Sequence, residues 1–385
     1  MNINEKYIAV LGSTGSIGRQ ALDVCEKQSV RVEALSANKS IDLLEKQIRK
    51  FRPKFAAMKD EQSARILKER IVDTSTVVFA GEEGILDMIN LLEGDTVLNS
   101  IIGGDGLLPT YESVRCAKNL ALANKESLVT AGDIIMKKAE RKGVKIMPVD
   151  SEHCAIFQCL MSGAHSEVKR IILTASGGPF YGKKRDELLS VGVNEALAHP
   201  TWNMGRKITV DSATMMNKCF EMIEAKHLFG VDPSQIDVVI HRQSVVHSMV
   251  EFIDGAIIAQ LAVPDMRMCI QYALTWPERM PGQTPSLNFA KGLDLTFDRP
   301  DQETFKPLML ASYVMEKGGI IPAALNGAND VAVQLFLDGK ISFLDIADFA
   351  EQIVKSTQNV TDPSLEDIVE AGRIAGQRVL ELAEN

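Results

Sequence analysis

The chain has 385 residues, 45% of them hydrophobic and 24% charged, a composition that buries substantial cores and excludes a disordered chain. With 51 acidic against 42 basic residues the formal net charge is −9, which argues against a surface built for nucleic acid. No apolar run approaches the roughly 20 residues that a membrane helix needs, and this length predicts two or three domains.

The opening MNINEKYIAVLGSTG runs into a short strand and a glycine turn, without the longer apolar stretch and cleavage site of a signal peptide, so a cytoplasmic location is expected. Short apolar runs then recur: Tyr7–Leu11, Val30–Leu35, Phe55–Met58, Thr76–Phe79, Val97–Ile102, Leu120–Ala123 and Val144–Met147. Charged segments with helical spacing separate them, as in Ile41-Leu44-Ile48. Strands alternating with helices predict right-handed crossovers and a doubly wound parallel sheet over residues 1–149.

The texture changes over 150–280, where strands are expected at Lys169–Thr174, Ile236–Ile240 and Ser244–Phe252. Asp254-Gly255 between two apolar runs signals a hairpin, so this region reads as α+β with antiparallel pairing. Prolines 277, 281, 285, 300 and 307 mark a linker over 281–306. Residues 307–385 read as a helical bundle, its last helix capped by Ser364 with Asp367 three residues on. The six cysteines include no C-x-x-C pair and read as packed apolar residues.

Several segments carry chemistry. Gly12, Gly15 and Gly18 stand at a strand-turn-helix junction, where backbone amides and a helix N-terminus cradle a pyrophosphate; a ligand-free turn is the bland alternative. The second strand runs out into Ala37-Asn38-Lys39-Ser40, with no acid placed for ribose hydroxyls, and this favours NADP over NAD. Asp150-Ser151-Glu152 follows the seventh strand; in extended geometry both carboxylates face one way toward a hard cation, although a helix cap fits as well.

A helix is expected to open at Ser212, with Asn217, Lys218 and Glu221 on one face among Met215, Met216, Cys219 and Phe220. Spacing alone fits a solvated stripe with a Lys218–Glu221 ion pair as well, but a polar trio on a largely buried helix needs partners, and a phosphate plus a metal would supply them. Thr174-Ala175-Ser176-Gly177-Gly178 suits a phosphate cradle or a plain turn. His199 to Lys207 combines a titratable ring, bulky apolar groups and a glycine, a mixture that suits a lid.

The motifs GSTGSIG, LANKESLVTAG, PVDSEHCAIFQ, LTASGGPF, HPTWNMGRKITVDSATMMNKCFEMIEA and ALNGANDVAVQLFLDGKI together resemble the 1-deoxy-D-xylulose 5-phosphate reductoisomerase family, in order along the whole chain. The resemblance implies NADPH, a divalent cation (Mg2+ or Mn2+), a sugar phosphate substrate and a homodimer. It implies a rearrangement followed by hydride transfer, giving 2-C-methyl-D-erythritol 4-phosphate on the route to isoprenoid precursors. It would place Thr14, Gly15, Ser16 and Ile17 on the cofactor phosphates. Ala37, Asn38 and Lys39 would lie at the adenosine ribose and its phosphate, with Asn124, Glu126 and Gly205 along the rest of the cofactor path.

Asp150, Glu152 and Glu221 would hold the metal. Lys125, Ser151, Glu152, Ser176, His199, Ser212, Asn217, Lys218 and Glu221 would contact the substrate, under a lid carrying Trp202 and Met204. The resemblance also suggests that Lys125 neutralises oxygen charge and that Glu152 moves a proton. The chain departs from the family at Ala37-Asn38-Lys39-Ser40, at Arg242 in place of a common proline, and at Asp330 in place of glutamate. Two rivals remain: a semialdehyde-type dehydrogenase using a thiolate such as Cys154, and a non-catalytic NADP sensor.

Overall fold

The computed structural model describes residues 6–384. The reading of the first five residues, and the outer limits at 1 and 385, lie outside the described residues. The chain forms two compact units that do not follow the sequence in order. The first comprises the described residues up to Asn124, with Ile134–Cys154 and Asp265–Pro285; the second comprises Lys125–Asp133, Ala155–Pro264 and the remainder from Ser286.

The first unit is built on seven parallel strands: β1 (Tyr7–Leu11), β2 (Arg31–Ala37), β3 (Phe55–Met58), β4 (Val77–Ala80), β5 (Thr96–Asn99), β6 (Asn119–Leu122) and β7 (Ile146–Pro148). Their order is β4-β3-β2-β1-β5-β6-β7, so the winding reverses between β1 and β5. In open α/β sheets that reversal leaves a crevice at the carboxyl ends of the strands, where ligands bind. The central strands are buried on both faces, which is why they read as continuous apolar runs rather than alternating ones.

The helix Met266–Thr275 also belongs to this unit, although its sequence neighbours do not. It packs on the helix Ser16–Gln28, where Gln28 Nε2 donates to Gln271 Oε1 at 2.9 Å and Arg267 pairs with Asp23 at 2.7 Å. An apolar stripe announces that a helix packs, but not upon which sheet.

The second unit contains β8 (Val168–Ala175), β9 (Ile236–Ile240), β10 (Val246–Phe252) and β11 (Ile257–Leu261), in the order β11-β10-β8-β9. The expected hairpin joins β10 and β11: Gly255 has φ +87°, and Asp254 Oδ1 accepts from the Ala256 amide. Helices Pro307–Lys317, Ile321–Leu337, Phe343–Ser356 and Leu365–Ala383 complete the unit around a core that includes Phe220, Leu325 and Val354. Ser364 and Asp367 form the expected capping box. The helices Ile321–Leu337 and Leu365–Ala383 touch at Gly327, where an added Cβ would lie 2.1 Å from the Gly372 carbonyl oxygen.

Two local expectations are corrected. The helix does not open at Ser212: one helix runs Arg206–Thr214, the chain breaks at Met215 (φ +63°), and a second helix runs Met216–Phe229. The Thr214 hydroxyl accepts from the Met216 amide at 3.3 Å, supplying a local partner at the break. Asp150 and Glu152 are not in extended geometry either. A helix spans Ser151–Leu160, and the Asp150 carbonyl accepts from the Cys154 amide, so Asp150 stands at the cap and Glu152 in the first turn.

Candidate cofactor and substrate sites

In the first unit the glycine turn leaves β1 and enters the helix Ser16–Gln28. Gly12 has φ +76°, and a Cβ there would meet the Ser100 carbonyl oxygen at 2.8 Å. At Gly18 a Cβ would lie 2.3 Å from the Gly12 carbonyl oxygen, so only glycine lets the helix approach the turn. Buried polar bonds fix the turn to its neighbours: Ser13 Oγ donates to Gln47 Oε1 at 2.7 Å, and the Gly12 amide to Ser36 Oγ at 3.1 Å. Gly15 caps the helix without a side-chain partner, and no acid occupies the first turn, which leaves the N-terminus positive for an anion. Thr14, Gly15 and Ile17 are half-buried there and Ser16 is exposed.

Ala37 ends β2 buried, and Asn38 and Lys39 follow it exposed. Glu33, the one acid within β2, is 2% exposed and accepts from the Glu93 and Gly94 amides at 3.0 and 2.8 Å. It is committed to the fold and leaves Lys39 as the charged group at the strand end. Asn124 is likewise buried, its amide donating to the Ile101 and Gly103 carbonyls at 2.8 Å, so its side chain ties down the turn after β5. At the end of β7, Ser151 is buried and donates its hydroxyl to the half-buried Glu152 carboxylate.

In the second unit Glu221, 1% exposed, is a hub. Its carboxylate accepts from Lys125 Nζ at 3.1 Å and Asn217 Nδ2 at 2.5 Å, and also from Lys218 Nζ. Lys125 Nζ donates in turn to Asn217 Oδ1 at 2.8 Å. Five residues of the sequence, Lys125 apart, deliver three of these groups from one helix face; Lys125 arrives from the start of the helix Lys125–Lys142. Two ammonium groups share this buried carboxylate, which fixes both in place and gathers donors that a substrate oxyanion can use.

Ser176, His199 and Ser212 belong to the same unit. His199 Nδ1 accepts from the Trp202 and Thr201 amides at 2.9 and 3.2 Å, so its proton sits on Nε2, 2.9 Å from Ser176 Oγ. Burial, and secondarily the charge of Arg242, push the His199 pKa down to about 4, which keeps the ring neutral. Because Ser176 Oγ accepts from this ring and from the Gly178 amide, its own proton is available to an anion. A Cβ on Gly178 would lie 2.9 Å from the Ser212 carbonyl oxygen, so the glycine loop packs directly against the Ser212 backbone.

The predicted lid follows as an irregular segment between Leu197 and Gly205. Trp202 is half-buried with its ring 6.2 Å from that of His247, Met204 is half-buried, and the exposed Gly205 caps the helix Arg206–Thr214.

Sequence reasoning missed the charge cluster at the foot of this segment. Lys207 Nζ lies 2.9 Å from Asp211, 3.0 Å from Asp330 and 3.4 Å from Glu126, and Asp211 also accepts from Asn329 at 2.8 Å. Burial opposes the Lys207 charge, but Asp211, Asp330 and Glu126 outweigh it and hold the pKa well above the ordinary lysine value. Glu126, read as a cofactor contact, is engaged in this cluster. Only the Lys207–Asp211 spacing of four was visible in the sequence.

Three family models match: "1-deoxy-D-xylulose 5-phosphate reductoisomerase" over residues 8–132, its "C-terminal domain" over 146–229, and "DXP reductoisomerase C-terminal domain" over 261–378. The 1-deoxy-D-xylulose 5-phosphate reductoisomerase of Acetivibrio thermocellus is 52% identical over 375 residues, covering 97% of this chain and 98% of that one. The protein of that name from Clostridium botulinum (strain Okra / Type B1) is 50% identical over 368 residues, covering 94% and 96%. Among solved structures, the Zymomonas mobilis reductoisomerase in complex with NADPH superposes with TM-score 0.92 at 40% identity over 99% of both chains. A DOX-P reductoisomerase in complex with NADPH, fosmidomycin and magnesium gives TM-score 0.93 at 36% identity over 98% of both.

Proposed function

The chain belongs to the 1-deoxy-D-xylulose 5-phosphate reductoisomerase family, and from that premise we propose how its own residues convert 1-deoxy-D-xylulose 5-phosphate to 2-C-methyl-D-erythritol 4-phosphate. The reaction uses NADPH and a divalent cation and serves the methylerythritol phosphate route to isoprenoid precursors. The observation that best supports the residue assignment is the buried Glu221 with Lys125, Asn217 and Lys218 around it.

Asp150, Glu152 and Glu221 would hold the cation. The donor set fits, since three carboxylates offer the hard oxygen ligands that magnesium or manganese prefers. When bound, the cation supplies Lewis acidity toward the substrate oxygens, and NADPH supplies hydride to the rearranged aldehyde. The turn Thr14 to Ile17 would take the cofactor phosphates, Ala37, Asn38 and Lys39 the ribose end, and Asn124, Glu126 and Gly205 the remaining path, Asn124 and Glu126 by backbone or by holding the elements they already tie.

Ser176, Ser212, Asn217, Lys218 and the neutral His199 would bind the phosphate, with Ser151 near the sugar. Lys125 holds positive charge against oxygen as electron density shifts, and Glu152 passes a proton from a substrate hydroxyl. Trp202 and Met204 would close over the site and exclude water. A homodimer is supported by β11, an edge strand whose Ile257 and Ile258 are exposed. We place the protein in the cytoplasm; no helix among the described residues is long and apolar enough to cross a membrane.

A thiolate mechanism finds little support. Cys154 is 1% exposed and hydrogen-bonded with the Cys269 thiol, an arrangement of packing rather than attack. The test is product identification: 1-deoxy-D-xylulose 5-phosphate, NADPH and manganese should yield the branched polyol phosphate. An unchanged sugar phosphate would sink the proposal.

A further inference from the structure

The Ser176-Gly177-Gly178 loop is braced by a residue outside every motif assigned above. Arg242 Nη1 donates to the Gly178 carbonyl at 2.9 Å and to the Ser176 carbonyl at 3.3 Å. Its guanidinium lies over the Tyr181 ring, 4.8 Å from the centroid, and Tyr181 is itself held by a 2.8 Å bond from its hydroxyl to Asp298. Among the described residues Arg242 makes no ion pair with any carboxylate. Its positive charge is therefore spent on neutral acceptors beside a loop that also carries Ser176 and faces His199.

The turn presenting Arg242 is rigid. His241 is fully buried: its Nδ1 bonds the Thr296 carbonyl at 2.8 Å, and Nε2 accepts from the Val245 and Val246 amides at 3.2 and 3.1 Å. The His241 ring stacks on Phe297 at 4.7 Å. An arginine held this way loses little freedom when an anion arrives.

We propose that Arg242 is a positioning residue for the phosphate end of the substrate. It holds the Ser176 and Gly178 carbonyls on its own side and adds an unneutralised charge to the cradle. Carbonyl oxygens turned toward a phosphate would repel it, so fixing them favours the anion as well as the loop. The inference rests on the Ser176 loop being the phosphate site of the proposed reaction.

The experiment compares the full-length protein with Arg242→Met and Arg242→Lys. Inorganic phosphate binding is measured by calorimetry at two salt concentrations, and turnover by NADPH consumption. Arg242→Met should weaken phosphate binding and raise KM for the sugar phosphate by about tenfold, the scale of one charge-assisted contact. Its kcat and its affinity for NADPH should stay near wild type, its salt dependence should flatten, and Arg242→Lys should recover part of the affinity.

Unchanged phosphate affinity in both variants overturns the proposal. So does a loss in kcat and melting temperature with KM intact, which marks a loop brace alone, and so does a wild-type protein that binds no phosphate. A wild type that binds phosphate but does not turn over the sugar phosphate would instead count against the proposed reaction, leaving the Arg242 comparison readable from calorimetry.

Discussion

The Lys125 ammonium lies 3.1 Å from the Glu221 carboxylate, and both side chains are almost fully buried. Lys218 shares the same carboxylate. Buried charges are costly unless paired and hydrogen-bonded, and Glu221 supplies that pairing to both ammonium groups at once.

Glu221→Gln therefore has two expected consequences. Turnover should fall by orders of magnitude, while NADPH binding, whose phosphate and ribose contacts are assigned to the first unit, persists. Stability should also drop, by about 3 kcal/mol, because Lys125 and Lys218 lose a shared buried carboxylate. Denaturant melts with NADPH titration check both, and a variant as stable and active as wild type would reduce Glu221 to a helix-face charge.

Cofactor choice is the next prediction. Glu33 is bound to two backbone amides and cannot serve ribose hydroxyls, whereas Lys39 is free to meet a 2′-phosphate. Lys39→Glu should cost about tenfold in NADPH affinity and little in NADH affinity. Parallel losses with both cofactors would remove Lys39 from the phosphate.

Two histidines give a pH signature. Burial lowers both His199 and His227 to about 4, from an ordinary value of 6.5. Between those values the unfolded chain binds protons that the folded chain refuses, so stability is present above pH 6.5 and is lost as pH falls toward 4. Thermal melts across this window should show the decline, and His227→Asn should make it shallower. A flat profile would mean that neither ring is buried in its neutral form.

Lys207 pairs with each of Glu126, Asp211 and Asp330. Lys207→Met removes a buried counter-charge from all three acids and should destabilise the protein by about 3–5 kcal/mol at neutral pH. The loss should shrink in acid, because the acids then protonate and stop repelling. Burial raises Asp330 above the usual carboxylate range, with the charge of Lys207 acting against it. A pH-independent loss would point to packing rather than charge.

The lid prediction is narrower. Trp202 is half-buried in an irregular segment, so Trp202→Ala should leave melts unchanged while turnover falls. Wild-type kinetics in that variant would make Trp202 ordinary surface.

Much of this was legible in the sequence, because it was local. Alternating strands and helices announced the parallel sheet, Asp254-Gly255 the hairpin, Ser364 and Asp367 the last cap, and Asn217, Lys218 and Glu221 their common face. What escaped was set by long-range packing. Nothing near Met266 shows that its helix docks on Ser16–Gln28, and nothing near Met215 announces a left-handed break, since a left-handed residue is ordinarily glycine. Beyond the Lys207–Asp211 spacing of four, the partners of Lys207 and Arg242 come from distant segments, so those contacts have no spacing to read.

The central claim meets its most direct test in one metal titration. Protein stripped of metal by a chelator is mixed with 1-deoxy-D-xylulose 5-phosphate and NADPH, and NADPH consumption is followed as manganese or magnesium is added. The account predicts no consumption before metal, a saturable rise with it, and none at any metal concentration when the sugar phosphate is omitted. Full consumption in the metal-stripped protein, or none at saturating metal, would contradict it.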